Sequence, residues 1–291
     1  MTANKRFRFK KRYLLLGLFI ALLSVLHSGC FSLRQSNASF AKKLENRGQQ
    51  DYQFHSYEVG ERQMNYVQVG EGAGRPLVLF LHGSPGAADA YLEYLVKPEL
   101  NEKAVLASVD RPGFGHSDFG KTEKSLAQQA AYIRPIIDRI QPSKTILCGH
   151  SFGGPVAARM AIDFPDLIDG IILVAPSIDP ELEPGTWWRK IFNVPILRLL
   201  VPTALRVCNQ EIIPLKKELE IMLPGWEQIE AEATIFQGEK DRLVPAGNAD
   251  FAHKMLTNSP AVDMHMIPGG NHFILWSEVD QITAAILKML D

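Results

Sequence analysis

Thr145-Ile146-Leu147-Cys148-Gly149-His150-Ser151-Phe152-Gly153 is the stretch that decides the fold. An apolar run of strand character stops at Cys148, and a helix-like pattern begins after Gly153. A serine set between glycines at a strand-to-helix turn can hold a strained backbone, because neither glycine carries a Cβ to clash across the bend. The Ser151 hydroxyl is then pushed out at the end of a sheet, as in a nucleophile elbow.

A serine hydroxyl is a weak nucleophile until a base takes its proton, and that base needs a third group to fix its tautomer. Downstream, Asp241 follows the apolar run Ala233–Phe236, and His272 follows Val262–Ile267 and the pair Gly269-Gly270. Each stands just past the C-terminal end of a predicted strand, the edge of an open α/β sheet where sites gather. Glu239 and Asp179 are the competing acids; His253 and His265 fall inside regular patterns and are read as ordinary side chains. Upstream, the run Pro76–Leu81 enters His82-Gly83-Ser84-Pro85-Gly86. Negative charge developing on an acyl oxygen needs N–H donors. The N–H groups of Ser84 and Phe152 are the candidates for this oxyanion hole, and His82 is read as a brace for its own loop.

Five motifs now stand in order: His82-Gly83-Ser84-Pro85-Gly86, Asp110-Arg111-Pro112-Gly113-Phe114-Gly115-His116-Ser117, Gly149-His150-Ser151-Phe152-Gly153-Gly154, Gly238-Glu239-Lys240-Asp241 and Gly270-Asn271-His272. Together they resemble the α/β-hydrolase superfamily over about residues 52 to 291. The resemblance implies a mostly parallel central sheet with helices on both faces and a helical cap insertion. It gives Asp110, Arg111 and His116 structural roles in the floor of the site. Related enzymes that share the histidine-glycine-x-proline loop, the haloalkane dehalogenases and epoxide hydrolases, use aspartate at the elbow, and dienelactone hydrolases use cysteine; Ser151 argues against both.

The rest of the chain agrees with one α/β domain. With 291 residues and 46% hydrophobic content it can bury one sizeable core. Strand-like runs at 64–69, 77–81, 104–109, 145–148, 171–174, 233–236 and 262–267 alternate with helical patterns, which predicts a mostly parallel sheet. Over residues 125–140 the apolar stripe Leu126, Ala130, Ile133, Ile137 and Ile140 predicts a helix packed on that sheet, bent or divided at Pro135. Ser277 with Asp280 predicts the capped start of a helix ending at Leu290. About 55 residues, roughly 177–232, separate two predicted strands, far beyond the ~2–6 of an ordinary connection. This is the cap insertion, apolar through Trp187, Trp188, Phe192, Leu197, Leu199 and Leu200 and chopped by prolines.

The net charge of −1 conceals an asymmetry, because residues 1–12 carry six basic side chains and no acid. The remainder is acidic and offers no footprint for nucleic acid. The basic start is followed by the apolar run Leu14–Leu26, shorter than the ~20 residues that span a bilayer and suited to a secretory signal over residues 1–29. Leu26-His27-Ser28-Gly29-Cys30 resembles a bacterial lipoprotein box, with Leu26 one place early and His27 where that family prefers leucine. The resemblance implies lipidation at Cys30 and an exported, membrane-anchored protein, the alternative being an uncleaved anchor. Residues 30–51 are then a flexible tether to the domain at 52–291. Cys148 and Cys208 remain, too few for a disulfide framework.

The expected function is that of a serine hydrolase acting on a small-molecule carboxylic ester or related acyl compound, with no metal and no cofactor. Alternatives on the same fold are a proline-releasing aminopeptidase, an acyltransferase, a carbon–carbon bond hydrolase, and a binding or sensing protein without turnover. For the peptidase, Glu181, Glu183, Glu211, Glu218 and Glu220 could bind a substrate ammonium; otherwise they are solvated helix faces. Oligomeric state is left open.

Overall fold

The computed structural model describes residues 13, 17, 34–185, 189 and 201–291. Cys30 and the cap residues Trp187, Trp188, Phe192, Leu197, Leu199 and Leu200 lie outside the described residues, as does the apolar run at the start of the chain apart from Gly17.

Eight strands form a single sheet: β1 (Tyr52–Val59), β2 (Arg62–Val69), β3 (Leu77–Leu81), β4 (Val105–Asp110), β5 (Thr145–His150), β6 (Gly170–Val174), β7 (Glu232–Gly238) and β8 (Val262–Ile267). Their order is β1-β2-β4-β3-β5-β6-β7-β8. The pairs β1–β2 and β2–β4 are antiparallel, and the rest are parallel. Strands β3 to β6 are buried throughout, which is why each reads as a continuous apolar run. Strand β1 escaped the sequence reading because it is an edge strand with little fully buried surface. The pair Tyr52 and Phe54, two apart and on one face, before the turn at Gly60 is the signal it carries.

Side-chain alternation divides the interior into two cores. Leu77, Leu79, Leu81, Leu147, Ile171 and Leu173 point to one face, under the helices Leu126–Ile133, Gly153–Asp163 and Gly247–Met255. Val78, Phe80, Ile146, Cys148 and Ile172 point to the other, under the helices Asn37–Glu45 and Val279–Leu290. The fold expected from the motifs, an α/β-hydrolase sheet flanked by helices, is the fold observed. Pro135 divides its helix into Leu126–Ile133 and Pro135–Ile140, and the predicted apolar stripe is buried along both pieces.

Two local expectations need correction. The tether ends earlier than residue 51, because Asn37–Glu45 is a helix capped by the Ser36 hydroxyl, with Phe40 and Leu44 buried against the domain. Two apolar residues four apart suffice here, because the capping serine and the waiting groove supply the rest. The terminal helix is not capped by Ser277; Ile274–Ser277 forms a short turn of its own, Val279–Leu290 starts after Glu278, and Asp280 pairs with Lys97 at 2.6 Å.

Candidate active site

Strand β5 runs into the elbow, where Ser151 adopts φ +53. The turn is closed so tightly that a Cβ on Gly149 would meet the Gly153 carbonyl oxygen at 2.3 Å, and one on Gly153 would meet that of Leu81 at 2.0 Å. No side chain fits either position, which accounts for the glycines that made the stretch legible.

Loops at the C-terminal edge of the sheet bring three predicted side chains to one point. The Ser151 hydroxyl lies 3.0 Å from His272 Nε2, and His272 Nδ1 lies 2.7 Å from Asp241 Oδ2. An ionised carboxylate only accepts, so Nδ1 carries the imidazole proton and Nε2 is left to accept from serine. Asp241 Oδ1 in turn accepts the backbone N–H groups of Leu243 and Val244, both at 2.8 Å. Burial pushes the Asp241 carboxyl up, but the His272 and backbone hydrogen bonds outweigh it and hold the group below its ordinary value. The competing acids stand elsewhere. Glu239 is exposed, and the Asp179 carboxylate accepts from the Glu181 N–H.

The loop after β3 lies against the elbow, since a Cβ on Gly83 would come within 3.0 Å of Ser151 Cβ. His82 braces this loop, as the sequence suggested. Its Nδ1–H donates to the Gly83 carbonyl at 2.7 Å and its Nε2 accepts the Arg111 N–H at 2.9 Å. The Gly83 carbonyl and the Ser84 N–H belong to one rigid peptide plane, so fixing the first aims the second. Neither the Ser84 N–H nor that of Phe152 donates to a backbone acceptor among the described residues.

Arg111 is the residue whose importance the sequence concealed. It is fully buried, donating from Nε to the His82 carbonyl at 2.8 Å and from Nη2 to the Gly83 carbonyl at 3.1 Å. Its guanidinium lies over the Phe152 ring at 4.6 Å. The counter-charge is Glu211, also fully buried, whose two oxygens take Arg111 at 2.9 and 3.0 Å. Glu211 belongs to the helix Thr203–Ile212, between β6 and β7. It is therefore no solvated face and no free receptor for an ammonium; through Arg111 it bolts this helix to the loop after β3. Of the other glutamates considered, Glu181 and Glu220 face Lys216, Glu218 accepts the Leu126 N–H, and Glu183 lines the cleft with its carboxyl pushed up by burial. Removing one partner strands a buried charge, so Glu211→Ala is expected to cost about 3–5 kcal/mol, and Arg111→Met with Glu211→Leu to recover most of it. Urea unfolding of the two variants checks this.

Two further histidines crowd the centre as neutral groups. His150 is buried with Nε2–H donating to the His272 carbonyl at 3.1 Å, and its ring stands 5.0 Å from that of His272. Burial pulls its pKa down to about 3, and burial pulls His82 down as well. Unfolded, both bind a proton below pH ~6.5. The unfolded chain thus binds more protons than the native one between that pH and the folded values, and native stability falls as pH drops through this window, at most about 1.4 kcal/mol per unit for each group. Urea midpoints at pH 7 and pH 5 should show the loss, and His150→Gln should reduce it. Equal midpoints would contradict it.

A cleft of about 890 Å³ opens over Ser151, lined by Ser84, Phe152, Glu183, Cys208 and His272 among others. Cys148 and Cys208 are free and buried. Among the described residues no group of three or more His, Cys, Asp or Glu side chains is placed to hold a metal ion.

Residues 76–195 match a family model described as alpha/beta hydrolase fold. The chain is 32% identical over 143 residues to the dihydrolipoyllysine-residue acetyltransferase component of the acetoin cleaving system of Cupriavidus necator, a match spanning 48% of this chain and 37% of that protein. It is 21% identical over 268 residues to the 2-(acetamidomethylene)succinate hydrolase of Mesorhizobium japonicum, covering 80% and 94% of the two chains. Among solved structures it resembles a membrane phospholipase A described as a bacterial virulence factor, with a TM-score of 0.64, 19% identity, and 97% and 99% coverage. The chain has the α/β-hydrolase fold, and residues 76–195 carry the sequence match to that family's model.

Proposed function

We propose that the protein is a serine hydrolase that cleaves a carboxylic ester or related acyl compound through an acyl-enzyme. The observation that carries this reading is the unbroken relay Ser151 Oγ, His272 Nε2, His272 Nδ1 and Asp241 Oδ2, with spacings of 3.0 and 2.7 Å. Ser151 Oγ attacks the substrate carbonyl while its proton passes to His272 Nε2, and Asp241 stabilises the imidazolium. The N–H groups of Ser84 and Phe152 take the oxyanion. Collapse breaks the ester bond, and the leaving alcohol carries away the proton from His272. Water then attacks the acyl-enzyme by the same steps in reverse roles, releasing the acid and restoring Ser151.

Arg111 supports this chemistry from behind. By holding the Gly83 carbonyl it orients the Ser84 N–H, and by stacking on Phe152 it steadies the second donor. The aminopeptidase alternative is weakened by the loss of Glu211 to Arg111, which leaves Glu183 as the acid of that group lining the cleft. For the N-terminus, we propose export and attachment to the membrane through Cys30 or through the apolar run before it. Hydrolysis of a panel of p-nitrophenyl esters of rising chain length by the purified full chain tests the reading. Turnover of at least one ester is the expected result. Release of N-terminal proline from peptides with no ester turnover would replace it with the peptidase.

A further inference from the structure

We infer that the mouth of the cleft seats on the lipid bilayer to which the N-terminus is tied, and that the hydrolysed substrate is a bilayer-resident acyl ester entering from that surface. This deepens the proposed function and rests on it.

A loose tether of some twenty residues would let the site face bulk solvent, but the described chain is already fixed at Arg34. The Arg34 guanidinium lies over the Phe119 ring at 5.3 Å, with Nη2 at 3.1 Å from His116 Nδ1. The helix Asn37–Glu45 then docks through Phe40 and Leu44. Arg34, Gln35 and Lys43 all line the cleft that holds Ser151. Only residues 31–33 separate Cys30 from Arg34, a reach of at most ~14 Å at about 3.3–3.6 Å per residue. If the apolar run ending at Leu26 stays in the membrane instead, the reach is at most ~28 Å. Either attachment holds the mouth within about one small-domain diameter, ~30 Å, of the headgroups, and lipidation brings it within about half of that.

The surface offered there suits a bilayer. Seven large apolar side chains are exposed among the described residues, and three of them, Leu243 at 62%, Phe273 at 55% and Trp276 at 43%, stand on this one rim. Single exposed apolar residues are ordinary, but a cluster around a cleft marks an interaction face. Phe273 and Trp276 form a ring pair at 5.9 Å, and the Trp276 indole N–H is satisfied by the Ala90 carbonyl at 3.1 Å, so its apolar face can enter the interface as tryptophan does in membrane belts. Arg34 stands beside these residues with positive charge, complementary to anionic headgroups, while Lys43 is paired with Asp89 at 3.6 Å. An ester resident in that bilayer meets the cleft mouth without first crossing water.

The test uses the full chain in vesicles of phosphatidylcholine with phosphatidylglycerol. An environment-sensitive fluorophore is attached at Leu243→Cys on the rim, or at Glu230→Cys just before β7, the opposite end of the sheet. Quenching by bromolipids should be about threefold or more greater at 243 than at 230, as for groups lying in the headgroup and acyl boundary. In Leu243→Glu, the rate on vesicle-embedded long-chain ester, divided by the rate on a soluble short-chain ester in the same variant, should fall about tenfold. Equal quenching at the two sites, or an unchanged ratio, would overturn the inference. Fluorophosphonate labelling of Ser151 on the same samples reports separately on the hydrolase reading, so failure of one is not mistaken for failure of the other.

Discussion

Replacing Ser151 by alanine is expected to lower kcat by about 10³-fold or more, because the oxyanion donors and substrate positioning remain but the atom that forms the acyl bond is gone. The fold should survive. Ser151 contributes its hydroxyl to one hydrogen bond, with His272, while the strained elbow is set by the glycines on either side of it and by the backbone bond from the Ser151 N–H to the Val174 carbonyl at 2.9 Å. A β-carbon is retained, so the positive φ costs no more in the variant than in the parent. Steady-state kinetics on the best ester of the panel, together with an unchanged thermal transition, check both halves. A residual tenth of the activity would remove Ser151 from the chemistry.

Asp241→Asn is expected to cost about 10⁴-fold in kcat, and the structure supplies the reason. In the parent, Oδ1 takes two backbone N–H groups while Oδ2 takes the proton of His272 Nδ1. The asparagine oxygen stays with the two backbone donors, since a carbonyl is required there, and its NH₂ group is turned toward His272. The imidazole must then accept at Nδ1 and carry its proton on Nε2, the tautomer that cannot accept from Ser151. Glu239→Gln, at an exposed position on the same loop, should leave kcat within about twofold of the parent. The reverse ranking would reassign the acid.

Much of this arrangement was legible in the chain before any coordinates. The strands that carry the site are buried on both faces, so β3, β5 and β7 show as apolar runs whose ends locate Ser84, Ser151 and Asp241. Glycines at 149 and 153 mark backbone approaches that no other residue permits, and Gly83 marks one that a Cβ would crowd. What stayed hidden depends on tertiary placement. Nothing local distinguishes Glu211 from Glu218 or Glu220 on neighbouring helical turns, yet one is sealed against Arg111 a hundred positions away and the others face a lysine or a helix start. Nor does anything local show that Asp241, cupped by the N–H groups of Leu243 and Val244, faces His272 while Glu239 faces solvent. The helix at 37–45 has the composition of a linker, and two buried side chains convert it into a docked element.

The proposed chemistry requires that Ser151, and no other side chain, becomes acylated. Intact-protein and peptide mass spectrometry after treatment with a fluorophosphonate measures this most directly. A single adduct is expected, carried by the peptide containing Ser151, abolished in Ser151→Ala and strongly slowed in Asp241→Asn. An adduct on another residue, or equal labelling of the parent and Ser151→Ala, would contradict it.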